Sequence, residues 1–110
     1  MNTNTVRLIG YAGNAPTTKM LQNGTQRAVL KVATHYPRNK KNVGEKAEWA
    51  TDWHWVVGWD EQAIYMERSF VKGSRVLVEG RIVYRGYTNA AGFWVNLTDI
   101  RADNIMNLDR

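Results

Sequence analysis

Four of the five tryptophans in this chain fall within the eleven residues from Trp49 to Trp59, and all four occupy odd-numbered positions. Side chains of one parity point to one face of a β-strand, whereas a helix would spread these indoles around its axis. The Thr and Val residues of the stretch also favour strands. We therefore predict a strand with a row of indoles on one face. The opposite face, which includes Asp52 and His54, is predicted to be too small and too polar to form much of a core.

The indole row has two interpretations. Aromatic side chains are most often buried, so the simpler one is that the row forms core. However, a domain of 110 residues has limited room for four indoles on one strand face. Exposed aromatic rings beside basic residues suit the stacking of nucleic-acid bases, and every base of RNA or DNA has a flat face to stack. We therefore favour an exposed stacking surface that tolerates any sequence.

Positive charge is concentrated in the first half of the chain. The net charge is +5, and residues 1–47 hold eight Lys or Arg and one acidic residue, whereas residues 48–110 hold seven and nine. A basic region favours a polyanionic partner, although a soluble basic surface has the same composition. The predicted phosphate contacts in this half are Arg27, Lys31, Arg38 and Lys40.

Turn and periodicity signals divide the chain into five strands. Asn23-Gly24 predicts a hairpin turn. After it, Ala28, Leu30 and Val32 alternate as a core face. The predicted strands lie at 5–10, 26–34, 49–59, 75–85 and 93–102, with a hairpin loop at 88–92 between the last two.

Residues 60–72 predict one helix. Asp60 suits the N-cap position and Gly73 the C′ position. The apolar residues of this segment recur at helical spacing, so we assign them to the core rather than to a cofactor site. They are Ala63, Ile64, Met66, Phe70 and Val71.

The predicted order of elements is β-β-β-α-β-β. Five strands with one helix between strands 3 and 4 is the order of an OB-fold, an all-β, five-stranded Greek-key barrel that often binds oligonucleotides. Gly80, in the middle of the fourth predicted strand, supplies the sharp bend that a small barrel needs. The chain has no repeats and no low-complexity linker, so we predict one such domain over residues 1–110.

The composition argues against catalysis and against a membrane. Cysteine is absent, and the two histidines, His35 and His54, do not have the spacing of a zinc site. Glu79 and Asp52 have no evident carboxylate partner, so we predict no enzymatic activity, no cofactor and no metal. No run of about 18 apolar residues and no N-terminal signal segment occur, which favours a cytoplasmic protein.

Taken together, these segments resemble the bacterial-type single-stranded DNA-binding proteins. The likeness covers roughly residues 2–106. It is carried by Asn2 to Gly10 with Gly13, by Asn23-Gly24 with Ala33-Thr34, by Thr51 to Trp59 and, most strongly, by Val71 to Tyr87 followed by Asn89 and Gly92. The combination of these pieces in this order and spacing makes the match specific.

The resemblance implies that bases stack on aromatic side chains and that basic residues line the phosphate path. The implied stacking positions are Trp53, Trp59 and Tyr87, with Tyr36 as the nearest match to an aromatic in the loop after the second predicted strand. The implied phosphate contacts are Lys72 and Arg85. We add Trp49 and Trp55 to the predicted site because they belong to the indole row.

The resemblance also implies partners. They are single-stranded DNA, during replication, recombination and repair near the nucleoid, and other copies of the chain in a homotetramer, with a homodimer as the alternative. The chain departs from the family at Ala15, where an acidic residue is usual, and at Asn107 to Arg110, which lack an acidic recruiting tip. We therefore expect no tail-mediated recruitment by this chain. The alternative functions are an OB module like primosomal replication protein N and a barrel that binds protein and no nucleic acid.

Overall fold

Residues 1–38, 44 and 48–109 are described by the computed structural model, and they form six strands and one helix. Lys40, one of the predicted phosphate contacts, lies outside the described residues. The elements are β1 (Val6–Ala12), β2 (Thr17–Met20), β3 (Gln26–Pro37), β4 (Trp49–Trp59), α1 (Glu61–Ser69), β5 (Arg75–Thr88) and β6 (Trp94–Asn107).

Five of these strands close into a barrel. The sheet runs β1-β5-β6-β4-β3, and β3 returns to β1 where Tyr11 pairs with Ala33. The β4–β6 pair is parallel and the other pairs are antiparallel. This confirms the predicted OB-fold barrel with a helix between its third and fourth strands. The first arm of the predicted hairpin forms an additional short strand, β2, which pairs only with β3 within the described residues.

The core follows the alternation of the strands. Ala28, Leu30 and Val32 on β3 are fully buried, as their spacing predicts. Met66 of α1 and Phe70, just after the helix, both belong to the buried hydrophobic core of the barrel. The other fully buried large side chains of the core are Val56, Val76 and Val78.

Two glycines hold the backbone where the sequence predicts a turn and a bend. Gly24 has a φ of 86°, and the Asn23 side chain accepts a hydrogen bond of 3.0 Å from the Thr25 amide, which confirms the hairpin turn. The register of β5 on β6 shifts between Glu79 and Gly80. A Cβ at Gly80 would overlap the Arg101 carbonyl, so only glycine permits this close approach.

The helix is shorter than predicted, and its capping is different. Asp60 occupies the N-cap position, as predicted, with a φ of 51°, but its carboxylate accepts a hydrogen bond from the Gln26 amide and not from an amide of the helix. The chain is already extended at Phe70, so Val71 is exposed rather than core, and Gly73 serves the turn into β5. Ile64 is also exposed, so the core assignment is wrong for both residues. No helix in the described part of the chain is long and apolar enough to span a membrane.

The last strand extends five residues further than predicted. β6 pairs with β5 as far as Asn107. The longer pairing buries Ile105 in the core and places the Asn107 amide 2.9 Å from the Tyr65 hydroxyl. Residues 103–107, which lie beyond the predicted strand, therefore join the barrel wall.

Candidate nucleic-acid interface

β4 presents most of its indole row to solvent. The side chains of Trp49, Trp53 and Trp55 are 68%, 53% and 47% exposed, whereas Trp59 is half-buried. Val57, which has the same parity, is buried. The first three indoles are therefore surface rings, and the interpretation of the row as core does not apply to them.

The opposite face of β4 supplies core, and the prediction that it is too small to do so is wrong. Ala50, Val56 and Gly58 are buried. A Cβ at Gly58 would overlap the sulfur of Met66, so the missing side chain is what allows α1 to pack on the strand. A small residue here contributes to the core by leaving space for a helix. The alternation of residues within β4 alone does not show that a helix packs there.

Basic side chains of β3 lie against the indoles of β4. The register pairs Lys31 with Trp55 and Arg27 with Trp59, so odd residues of both strands share one face. The Lys31 ammonium lies 5.3 Å from the ring centroids of both Trp53 and Trp55. The Arg27 guanidinium carbon lies 5.9 Å from the Trp59 ring. Each contact is a cation–π interaction of about 0.5–1 kcal/mol at an exposed site, and each holds a positive charge beside a flat ring.

Trp53 is fixed by the turn after β1. A Cβ at Gly13 would overlap the Trp53 six-membered ring, so the ring lies directly on the glycine backbone. The Gly13 amide in turn donates a hydrogen bond of 2.8 Å to the Lys31 carbonyl. One edge of the Trp53 indole is therefore held by backbone while about half of its surface stays open to solvent.

A concave groove continues from the indole row toward the β5–β6 hairpin. Its volume is about 510 Å³, and it lies between β2 and β3 on one side and the Asn96–Asp99 segment of β6 on the other. Its lining includes Trp55, Arg27 and Arg85. A second hollow of about 300 Å³ shares Arg27 and Arg85 and adds Trp59. Trp55, Trp59 and the two guanidinium groups therefore border neighbouring hollows that share part of their lining.

Arg85 lies in this groove but is already paired. Its guanidinium donates hydrogen bonds from Nε and Nη2 to the two carboxylate oxygens of the buried Asp99. The hydrogen bond to Asp99 raises the pKa of Arg85 above its ordinary value; burial acts against this and the negative charge of Asp99 adds to it. Arg85 is therefore positively charged at any working pH, and Asp99 fixes its position beside Arg27.

The remaining predicted residues do not all share this face. Tyr87 does: it lies on β5 two residues from Arg85, at the same parity, and is half exposed. Tyr36 is exposed but pairs with Ala50, so its parity is that of the core face and not of the indole row. The register thus separates Tyr36 from the other candidate aromatics.

Two of the predicted basic residues, Arg38 and Lys72, lie at the borders of the indole row. The Arg38 guanidinium is 3.7 Å from the Glu48 carboxylate, and both side chains are exposed. Lys72 is exposed in the turn before β5. The next amide, of Gly73, donates to the Ala12 carbonyl, which brings this turn close to Gly13 and hence to the Trp53 end of the row.

Sequence reasoning missed two groups. Arg81 and Arg101 pair directly across β5 and β6, and like charges placed opposite each other destabilise a sheet. Arg101 also lines the smaller hollow. Tyr84 and Trp94 on the same hairpin are 74% and 64% exposed. Tyr84 and Trp94 could have been found from the sequence. The hairpin loop at 88–92 sets a register in which these aromatic residues lie near Gly86.

Both histidines have local partners. His54 Nε2 lies 2.8 Å from the Thr34 hydroxyl, and His35 Nδ1 lies 2.9 Å from the Thr51 hydroxyl. These contacts link β3 to β4 and give both histidines a structural role. The described residues contain no group of three or more His, Asp or Glu side chains placed to hold a metal ion.

Comparison with known proteins identifies the family of this chain. The single-strand binding protein family model matches residues 3–108. The chain is 33% identical over 107 residues to the "Single-stranded DNA-binding protein 1" of Xylella fastidiosa, spanning 97% of this chain and 78% of that protein. It is 30% identical to the single-stranded DNA-binding protein of Bacteroides thetaiotaomicron and 36% identical to that of Xanthomonas campestris, of whose lengths it spans 65% and 60%.

A solved structure agrees with this. The Plasmodium falciparum SSB complex with ssDNA superposes with a TM-score of 0.85 at 29% identity, covering 99% of this chain and 97% of that one. The chain therefore belongs to the single-strand binding protein family, a family of non-enzymatic binding proteins, as the resemblance predicted.

Proposed function

We propose that this chain binds single-stranded DNA without sequence selection and protects it during replication, recombination and repair. The observation that carries the proposal is the set of exposed indoles on β4 with basic side chains of β3 held against them. Family membership and the likeness to a structure with bound ssDNA support it. Trp49, Trp53, Trp55, Trp59 and Tyr87 are the proposed stacking residues.

The mechanism combines two terms that do not depend on sequence. Each base stacked on an aromatic ring contributes about 1–3 kcal/mol, and every base has a face to stack. Arg27 and Lys31 hold positive charge beside the indoles, where they neutralise phosphates and release counterions. Arg85, which is paired with Asp99, lines the groove together with Arg27. Duplex DNA keeps its base faces stacked inside, so it offers this surface only its phosphates.

Titration with oligo-dT tests the proposal directly. Stacking on the exposed indoles should quench the intrinsic tryptophan fluorescence, and a duplex of equal length should bind much more weakly. A chain that binds both forms with equal affinity would rule out base stacking as the source of binding. A chain that binds neither would favour the protein-interaction barrel.

Binding should weaken as salt concentration rises. The logarithm of the association constant should fall with a slope of about −0.7 per phosphate neutralised on a single strand. Arg27→Gln and Lys31→Gln should each make the slope shallower by about 0.7. Arg68→Gln is the matched control, because Arg68 is exposed on α1, which packs on the other face of β4. Equal slopes in all three variants would contradict the phosphate contacts.

A homotetramer is the proposed assembly, and β1 is the proposed contact. Over residues 6–10, β1 pairs with β5 on one side and has no partner on the other within the described residues. Ile9 and Met106 are exposed on either side of Leu77, which makes an apolar strip across β1, β5 and β6. A free strand edge beside such a strip favours pairing with another copy.

Light scattering at micromolar concentration should give about four times the mass of one chain, as expected for a homotetramer. Ile9→Glu should reduce that mass because it places a charge in the apolar strip. Met20→Glu is the control, since Met20 is equally open but lies on β2. A single-chain mass for the unmodified protein would refute the assembly.

The proposed place of action follows from the proposed ligand. A protein that protects single-stranded DNA acts where the chromosome is copied, so we propose a cytoplasmic, nucleoid-associated protein. The finding on which this rests is family membership.

A further inference from the structure

Trp94, which the sequence did not assign to the site, is held in a fixed position on the β5–β6 hairpin. A Cβ at Gly86 would overlap the Trp94 ring, so the indole packs directly against the Gly86 backbone. The Trp94 indole N–H donates a hydrogen bond of 2.7 Å to the Asn96 side-chain oxygen. The ring is held against Gly86 and its N–H has a hydrogen-bond acceptor, while 64% of the residue remains exposed.

This arrangement presents an open ring that is already ordered. A large aromatic ring on the surface keeps its apolar area in contact with water until a partner covers it. A ring fixed before binding loses little rotamer freedom on binding, so more of the contact energy appears as affinity. Contact of the ring with Gly86 and of its N–H with Asn96 therefore gives Trp94 the fixed position that a stacking platform requires.

Trp94 also continues the groove. Asn96 and Thr98 line the groove along the edge of β6. Trp94 is the next residue on the same face, about 7 Å further along the strand at two residues of rise. Tyr84, which pairs with Thr98 on the neighbouring strand, is exposed on that same face. A single nucleic-acid strand that leaves the groove past Asn96 would reach Trp94 next.

We propose that Trp94 is a further base-stacking platform, prepositioned by Gly86 and Asn96, that extends the single-strand path from the groove onto the face of the hairpin opposite Tyr87. This inference rests on the proposed function. It commits the open ring to single-stranded nucleic acid and not to a second copy of the chain.

The test compares Trp94→Leu with Trp94→Phe. Both remove the indole N–H and have similar size, but only phenylalanine keeps a π-face. Trp94→Leu should weaken oligo-dT binding by between about 5-fold and about 150-fold, and Trp94→Phe should restore most of that loss. With oligonucleotides of about 4 to about 16 nucleotides, the loss should appear only once the strand is long enough to leave the groove.

The outcomes separate the two proposals. If the unmodified chain binds oligo-dT and Trp94→Leu binds equally well at every length, the platform is refuted and the proposed function stands. Equal weakening by Leu and Phe would refute stacking, and equal weakening at every length would refute the position at the groove end. A lower oligomeric mass of Trp94→Leu with unchanged affinity would assign the ring to a copy interface. Failure of the unmodified chain to bind would overturn both proposals.

Discussion

Replacement of Trp53 by alanine is expected to weaken binding of single-stranded DNA by about 5-fold to about 150-fold, which corresponds to the loss of one stacked base at about 1–3 kcal/mol. The indole lies at the centre of the exposed row, with its edge on Gly13 and the Lys31 ammonium beside its ring. Removal of the ring takes away the base contact and also the partner that orients this cation.

The same change should leave the fold intact. About half of the Trp53 side chain is already in water. The cost in unfolding free energy should therefore be at most about 2 kcal/mol, roughly half of the loss for a buried aromatic. Titration with oligo-dT well below the melting temperature measures the affinity of the folded protein. An unchanged affinity in that titration would remove Trp53 from the site.

Replacement of Leu30 by alanine should have the opposite profile. Leu30 is fully buried at the centre of β3 and is among the largest side chains of the core. Its truncation should lower the free energy of unfolding by about 2–5 kcal/mol, since it combines lost burial with a cavity. Thermal or denaturant unfolding measures the loss. The affinity of the folded fraction for oligo-dT should stay near that of the unmodified chain.

Trp53→Ala and Leu30→Ala form a matched pair, because the first should lower mainly the affinity for DNA and the second mainly the stability of the fold. Leu30 and Lys31 are neighbours on β3, yet one side chain points into the barrel and the other lies against the indoles. If Leu30→Ala weakened binding by the folded fraction as much as Trp53→Ala, binding would depend on barrel stability and not on exposed rings. A fall in stability of Trp53→Ala that exceeds that of Leu30→Ala would make the indole a core residue.

Which residues share a face could be predicted from the sequence. The alternation at Ala28, Leu30 and Val32 predicted a core face that the structure confirms. The odd numbering of the four tryptophans placed them on one face of β4, and three of them are exposed there. The order of elements predicted the OB-fold, and the spaced motifs predicted the family. The face assignments use only the two-residue period of a strand, the fold prediction uses the order of the elements, and the family prediction uses the resemblance of the motifs.

Only the tertiary structure decided what covers each face. Trp59 is half-buried although it has the parity of the open indoles. Gly58 is buried although its strand face is small, because α1 packs on it. Period-two alternation determines the side of a strand on which a residue lies, but burial depends on segments distant in sequence.

The Arg85–Asp99 ion pair and the position of Trp94 on the hairpin also depend on contacts between segments that are distant in sequence. Pairing of Arg85 with Asp99 joins residues fourteen positions apart, and it exists because β5 and β6 form one antiparallel pair. That register also sets the Trp94 ring on Gly86. Residue types and spacing determined the kind of chemistry available to this protein, stacking and charge neutralisation. The closure of the barrel decided which rings and cations meet in one groove, because strand register brings distant residues within contact distance.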